Sequence, residues 1–367
     1  MKKPLQIFDI HILRAIGCMM VVLVHVSAVY FYERGGWEDV TLFVNQISRF
    51  GTPLFAFISG FLLFLQVKNK GFKFKKFASS RFKKIVIPFA VWTAFYYLYI
   101  FAADGISPFE DGTTQFLISS IFGESYYHLY FMSIVLQFYL IFPLLQLIRK
   151  KSFWIAALVL SAGVHVYTLQ YFVPGQFEGT AGMILSQRAF LPAWLFFFIF
   201  GGFLAYNWEQ AKAFAIKFRM PLFIGVLLII YFAAVEYEAV GSIPSNRMTN
   251  MINLPIIILF ILSIGNVIGR IPSLNQFFSK IGALSMGIYL VHPFILNVIQ
   301  RILPAEVWKL SLFPVWFVII MGLSIVAVTL IQYLPFGKLI VTVPKQSSTP
   351  RKDKDINTHS KRRALYE

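Results

Sequence analysis

Long apolar stretches recur along the chain and are separated by shorter polar or charged segments. The first runs from Ile10 to Tyr32 and contains few strongly polar side chains. At about 1.5 Å of rise per residue, a helix of that length crosses a hydrocarbon core of roughly 30 Å. The pattern predicts about ten membrane helices, at 10–32, 41–66, 85–103, 127–148, 153–172, 189–206, 219–236, 252–269, 281–302 and 313–340.

The overall composition agrees with this reading. Of the 367 residues, 58% are hydrophobic and only 13% are charged, whereas a typical soluble domain has roughly 25% charged residues. The predicted class is therefore an all-α, polytopic integral membrane protein, with a single transmembrane domain at residues 1–344. Residues 345–367 are charged and lack hydrophobic periodicity, so we predict a basic, disordered cytosolic tail there.

The basic residues predict how the chain is oriented. Lys and Arg are concentrated in alternate connecting loops, most densely between the second and third predicted helices. By the positive-inside rule these loops are cytosolic, which places the N- and C-termini in the cytosol as well. We attribute the formal charge of +17 to this topology and to attraction for anionic lipid, and we expect no nucleic-acid binding. Cys18 is the only cysteine, so no internal disulfide can form.

Two strongly polar side chains, Arg14 and His25, lie inside the first predicted helix. Their spacing of eleven residues closes three helical turns to within about 20°, so both should lie on one stripe. An arginine at the centre of a membrane helix costs about 2.5–3.5 kcal/mol on insertion scales. We therefore expect the stripe to face a protein interior or a hydrated cavity. In the alternative interpretation, Arg14 snorkels to the cytosolic interface and His25 bonds a neighbouring helix.

Two further segments are candidates for function. In the second predicted helix, Arg49 precedes Gly51-Thr52-Pro53, a combination that breaks a regular helix. We expect this break to border a cavity. In the alternative interpretation, it is a kink that serves helix packing alone. At the start of the third, Arg81 and Lys84 stand at i and i+3 on one predicted helix face. Positive-inside topology alone also accounts for the latter pair.

Several short motifs, in this order, resemble the membrane-bound acyltransferase 3 family. They are Arg14 with His25, FGTPLFAFISGF at 50–61, Arg81-x-x-Lys84, HLYF at 128–131 and YLVHP at 289–293. Lys84 replaces an arginine of the family pattern, and Tyr130 replaces a common tryptophan. Asp9, five residues before Arg14, is more similar to the branch associated with poly-N-acetylglucosamine in biofilms, which has been described both as an exporter and as an O-succinyltransferase. The resemblance is to stand-alone members, without the secreted esterase-like domain that others carry.

The resemblance implies transfer of an acetyl or succinyl group from a cytosolic acyl-CoA to a hydroxyl of a cell-surface or extracellular glycan. It implies that His25 is the general base or the covalent acyl carrier. Arg14 would bind donor anion or stabilise developing negative charge. Arg81 and Lys84 would bind the phosphates of the donor.

The remaining candidates are His128, Tyr289 and His292, as substrate-binding or cavity-lining residues, although for each histidine the favoured interpretation is a hydrogen bond at the interface or between helices. We expect no metal and no tightly bound cofactor, because the histidines are not grouped with carboxylates at ligand spacing. The implied partners are acyl-CoA, a glycan, the lipid bilayer of a bacterial plasma membrane and a glycan synthesis or export complex. Two alternatives remain open: a polysaccharide exporter or flippase, and a non-catalytic scaffold for a glycan synthase.

Overall fold

A computed structural model describes residues 4–146, 151–172, 176–241 and 243–343. Within these residues the regular structure is helical throughout, as the apolar pattern predicts. The α-helices are α1 (Pro4–Arg34), α2 (Asp39–Ser48), α3 (Gly51–Lys70), α4 (Phe74–Arg81), α5 (Ile87–Asp104), α6 (Gly112–Phe122), α7 (Tyr130–Leu145), α8 (Lys151–Tyr171), α9 (Gly179–Leu185), α10 (Leu195–Tyr206), α11 (Trp208–Lys217), α12 (Arg219–Val240), α13 (Asn250–Arg270), α14 (Pro272–Ile302), α15 (Phe313–Tyr333) and α16 (Gly337–Ile340).

Eight helical segments in the described residues are long and apolar enough to cross a membrane, which confirms an all-α, polytopic membrane fold. The predicted tail at 345–367 lies outside the described residues. The cytosolic placement of the termini remains a prediction. On that prediction, the outer end of the helix bundle is the end that contains the C-terminal ends of α1 and α14.

Two of the ten predicted spans are replaced by helices that are shorter than predicted. In place of 127–148 and 189–206 there are α7 and α10, with 16 and 12 residues. At 1.5 Å per residue these helices are about 24 and 18 Å long, shorter than the hydrocarbon core. Irregular backbone precedes both of them, and α10 packs between α3 and α8 with most of its residues buried. Short helices and irregular backbone are tolerated at membrane depth where protein surrounds them.

Helix α1 lies at the centre of the bundle, packed against α2, α3, α13, α14 and α15. Its contact with α14 is close because residue 282 is a glycine. A Cβ atom at Gly282 would lie 2.4 Å from the carbonyl oxygen of His11, so a larger residue would push the helices apart. This contact brings the stripe that carries Arg14 and His25 against α14.

The second membrane segment is broken where the sequence predicts. Arg49 and Phe50 separate α2 from α3, and Pro53 lies in the first turn of α3, where its missing N–H costs no helical hydrogen bond. The buried residues of α2 are polar, namely Thr41, Asn45, Gln46 and Ser48. Ser48, Arg49 and Thr52 border a large cavity. The break therefore brings polar groups to the outer part of the bundle.

Candidate active site

A cavity of about 600 Å³ occupies the outer end of the bundle. Its walls come from α1, the break between α2 and α3, the start of α7, the outer half of α14 and loops that precede α7, α10 and α13. A volume of this size is typical of sites for small organic ligands. Of the residues predicted from sequence, His25, His128 and Tyr289 line it, and His292 lies directly behind His25.

A hydrogen bond joins His25 of α1 to His292 of α14. The Nδ1 atom of His25 lies 2.7 Å from Nε2 of His292, and the two rings are nearly parallel, at 10°. The other nitrogen of His292, Nδ1, lies 2.8 Å from the carbonyl oxygen of Ile288. A carbonyl can only accept, so His292 donates from Nδ1 and, when neutral, accepts at Nε2.

This arrangement determines the tautomer of His25. Since Nε2 of His292 accepts, Nδ1 of neutral His25 must carry the proton, which leaves Nε2 of His25 as an unprotonated base. His292 is completely buried, whereas His25 is only half-buried and lines the cavity. A lone pair suited to proton abstraction or nucleophilic attack is therefore available on the cavity side.

His128 is the third histidine of the site. It is buried, and neither of its ring nitrogens has a hydrogen-bond partner among the described residues, although the residue lines the cavity. Its ring centroid lies 6.0 Å from that of His292 and 5.1 Å from that of Tyr289. Tyr289 also donates from its hydroxyl to the His128 carbonyl, which holds the start of α7 against α14. An unpaired buried imidazole is costly, so a ligand that reached these nitrogens would be bound favourably, but both are shielded from solvent in this structure.

Tyrosine side chains other than Tyr289 also pack around the histidines, and these were not predicted from the sequence. The Tyr127 ring meets His25 edge-on at 4.8 Å between centroids and lines the cavity. Tyr126 stacks on Tyr96 at 4.3 Å, and burial raises the pKa of the Tyr126 phenol, so it remains a donor at neutral pH. Tyr126 and Tyr127 directly precede the HLYF motif, which is the one local signal that could have drawn attention to them.

Arg14 occupies a different place from His25. Its Nε donates to the hydroxyl of Ser285 on α14 at 3.1 Å, and in the described part of the chain no carboxylate pairs with its guanidinium. The residue does not line the large cavity. Arg14 and His25 thus face the same helix, as their spacing predicts, but Arg14 lies nearer to the predicted cytosolic end and outside the cavity.

Arg81 and Lys84 are not brought into the cavity either. Arg81 donates to Gln66 at 2.9 Å and lies over the ring of Tyr139, while Lys84 is exposed. The sequence predicts an ordinary α-helix through both, but residues Phe82–Val86 form a π-helical turn. Its i→i+5 bonding widens the turn, so side chains three apart do not align as on an α-helix.

Beside Arg81 is a smaller cavity of about 100 Å³ near the predicted cytosolic face. It is lined by Gln66 and Phe77, both of which contact Arg81, and by Lys70, Lys73 and Lys76. Positive charge is thus concentrated at this end. Among the described residues, no group of three or more His, Cys, Asp or Glu side chains is placed to hold a metal ion.

Comparison of the sequence with known proteins identifies a family and several relatives. The sequence profile of an acyltransferase domain, acyltransferase 3, matches residues 7–333. A probable poly-beta-1,6-N-acetyl-D-glucosamine export protein of Staphylococcus epidermidis is 28% identical over 295 residues, covering 78% of this chain and 80% of the relative. A protein of the same description from Staphylococcus aureus strain MSSA476 is 24% identical over 298 residues, covering 78% and 81%.

No solved structure matches the chain. The profile match extends from α1 to the end of α15 and includes each of the five motifs on which the resemblance depends. The chain therefore belongs to the acyltransferase 3 family of membrane proteins.

Proposed function

We propose that this protein is an O-acyltransferase of the bacterial plasma membrane, which moves an acetyl or succinyl group from cytosolic acyl-CoA to a hydroxyl of a cell-surface or extracellular glycan. The observation that carries the proposal is the His25–His292 pair, which leaves an unprotonated ring nitrogen on the wall of a cavity of about 600 Å³. A base inside a cavity, in a chain of an acyltransferase family, matches the need to activate a hydroxyl.

The proposed reaction is a direct transfer. Nε2 of His25 takes the proton of the acceptor hydroxyl while that oxygen attacks the thioester carbonyl. The tetrahedral intermediate then collapses, the C–S bond breaks, and the imidazolium returns its proton to the departing thiolate. His292 accepts from Nδ1 of His25 throughout and so stabilises the charged ring. His128, with two unpaired ring nitrogens, is the proposed partner for the carbonyl oxygen or for the acceptor.

The donor is proposed to enter from the opposite end. Acyl-CoA is polyanionic, and the basic groups around the smaller cavity would attract it. Arg14, which has no carboxylate partner among the described residues, would bind an anionic or polarised group of the donor along the same stripe as His25. The acceptor would occupy the outer cavity, where aromatic and amide side chains such as Tyr127, Asn246 and Asn297 are suited to a sugar.

A reconstituted assay tests the function. Proteoliposomes containing the protein receive acyl-CoA labelled in its acyl group on one side and an N-acetylglucosamine oligomer on the other. We expect label on the glycan and release of free CoA in equal amounts, with acetyl- and succinyl-CoA compared in parallel. Transfer from neither donor to any hydroxyl acceptor would contradict the proposal.

A second candidate function is export of a polysaccharide, and the names of the staphylococcal relatives favour it. The same vesicles distinguish the two, because an exporter would move the glycan across the bilayer without labelling it. A non-catalytic scaffold would do neither, and its properties would not change when His25 is replaced.

Replacing Arg81 and Lys84 together with glutamine should raise the apparent KM for acyl-CoA and weaken its dependence on salt, since donor phosphates would lose charge-assisted contacts. We expect an increase of about tenfold or more, with little change in the KM for the acceptor. The matched control replaces Arg270 and Lys280, two cations that the sequence also places on the cytosolic side. A topology reporter must show normal insertion, and equal KM values for the two variants would rule out a role in donor binding.

A further inference from the structure

The outer part of the large cavity is positively charged. Arg49 and Arg188 line it, and none of the described residues on its walls is acidic. Neither arginine has an ion-pair partner in the described part of the chain. Glu33 lies behind the wall, where it accepts a hydrogen bond from Gln300 at 2.7 Å.

Arg49 is held in place by a polar network. Its Nε donates to the side-chain oxygen of Asn45 at 3.1 Å. The amide nitrogen of Asn45 in turn donates to the carbonyl of Val24 at 2.9 Å and to Ser27 at 3.0 Å. Arg49 is thus anchored to the backbone of α1 one residue before His25, and its two Nη groups are left for other partners. Such anchoring is the support that a binding residue needs.

A third guanidinium, that of Arg247, lies nearby, because it packs on Phe50, the residue that directly follows Arg49. Arg247 is only 5% exposed, and none of its guanidinium nitrogens has a hydrogen-bond partner among the described residues. Glu236 lies 3.5 Å from its Nε, and its guanidinium lies over the Phe50 ring at 5.1 Å. Burial lowers the pKa of Arg247, and the Glu236 carboxylate opposes this effect.

Two guanidinium groups without an ion-pair partner among the described residues therefore line this cavity, and a third lies behind its wall with the single carboxylate of Glu236. Like charges repel strongly where water is scarce, and a buried cation without a hydrogen-bonded partner is costly. A structure keeps such an arrangement most readily when a ligand supplies the missing negative charge. Guanidinium groups are the usual partners of planar oxyanions, which they bind through paired hydrogen bonds.

We propose that Arg49 and Arg188 bind an oxyanion, a carboxylate or a phosphate, in the outer half of the cavity, and that Arg247 reinforces the site from behind the wall. This inference rests on the proposed function in one respect, namely that the oxyanion belongs to a substrate. It is carried either by the acyl group that is transferred or by the acceptor glycan. In both cases the two arginines hold the substrate group that carries the oxyanion beside His25.

Binding can be measured without any transfer. Purified protein in nanodiscs, free of CoA, is titrated calorimetrically with succinate, inorganic phosphate and the neutral analogue succinamide. We expect at least one of the oxyanions to bind and succinamide not to bind. Arg49→Gln and Arg188→Gln should each weaken oxyanion binding by about tenfold or more, and Arg49→Lys by less. Arg34→Gln is the control, because Arg34 is an outer arginine paired with Glu38 and does not line the cavity.

His25→Gln should still bind the oxyanion, which separates this site from the proposed chemistry. Absence of binding by both oxyanions, or equal affinities of the Arg49→Gln and Arg34→Gln proteins, would overturn the inference even if transfer were demonstrated. Conversely, if the protein bound the oxyanion but transferred no acyl group, the result would support the oxyanion site and contradict only the proposed acyltransferase activity.

Kinetics then identify the source of the charge. Transfer is measured with acetyl- and succinyl-CoA, each with a neutral N-acetylglucosamine oligomer and with an oligomer that contains uronic acid. If the acyl group carries the oxyanion, Arg49→Gln should slow only succinyl transfer. If the acceptor carries it, the same substitution should raise the KM for the uronate only. An equal effect of Arg49→Gln on all four combinations would contradict the assignment to a substrate.

Discussion

Replacing His25 with glutamine should abolish acyl transfer while the protein remains inserted and able to bind donor. Glutamine retains hydrogen-bonding capacity but cannot accept a proton as a base or form an acyl-imidazole. General-base catalysis contributes typically 10² to 10⁴ in rate, so we expect kcat to fall on the order of 10³-fold. His25→Ala should be equally inactive. The measurement is the initial rate of label transfer in proteoliposomes at saturating donor and acceptor.

His165→Gln is the matched control for the His25 substitution. His165 is also a buried histidine of a membrane helix, but it lies against Phe197 and does not line the cavity. Its replacement should leave kcat within a few fold of the wild-type value for correctly folded protein. A His25→Gln protein with near-normal turnover would show that the histidine is structural.

The same experiment tests the direct mechanism against a covalent one. Without acceptor, the proposed reaction leaves the label on CoA. An acyl-imidazole intermediate would instead place label on the protein, with a burst of free CoA equal to the enzyme concentration. Retention of label by wild-type protein, and its loss in His25→Gln, would replace the direct transfer with a two-step route through the same side chain.

Replacing His292 should have the second largest effect on kcat, because His292 orients the ring of His25. Replacing it with leucine removes the acceptor for Nδ1–H of His25, so His25 is free to carry its proton on Nε2, the wrong nitrogen for a base. In serine proteases, loss of the group that orients the catalytic histidine reduces kcat about 10⁴-fold. For a neutral acceptor we expect a smaller loss, about 10²-fold, mainly in kcat.

Glutamine at position 292 separates a positioning role from a structural one. Its side-chain oxygen can reach the region occupied by Nε2 of His292 and accept from His25, so His292→Gln should recover most of the activity that His292→Leu loses. Both variants remove the bond from Nδ1 of His292 to Ile288, and both should therefore lose similar stability in a thermal unfolding assay. Equal kcat values for the two variants would indicate that His292 contributes only to packing.

The prediction of Arg14 and His25 as one polar stripe required only local geometry. The period of an α-helix relates residues eleven apart without any knowledge of neighbouring helices, and the cost of a charge in lipid requires that the stripe face inward. The break after Arg49 was predictable for the same reason, since Gly51 and Pro53 act on their own backbone. The profile match over residues 7–333 confirms the family that the ordered motifs indicate.

Local pattern was misleading where the backbone departs from an ideal helix. Apolar runs at 127–148 and 189–206 are long enough to suggest full spans, but the α-helices begin only at Tyr130 and Leu195. They follow turns and, before α10, a short 3₁₀ helix at Leu191–Ala193. Apolarity is required at those positions whether the chain is helical or merely buried. Likewise, nothing in the sequence between Arg81 and Lys84 distinguishes a π-helical turn from an α-helix.

The sequence by itself determined the membrane class, the family, the inward stripe of α1 and the residue types available for chemistry, because each follows from composition, local order or helical period. Only the tertiary structure decided that His25 pairs with His292, 267 residues away, and that His25 lines the cavity. It alone brought Arg49 and Arg188 to the wall of one cavity, with Arg247 packed on the neighbouring Phe50. Such groupings depend on how helices pack and where loops cross, and no local propensity specifies the distance between side chains so far apart in the chain.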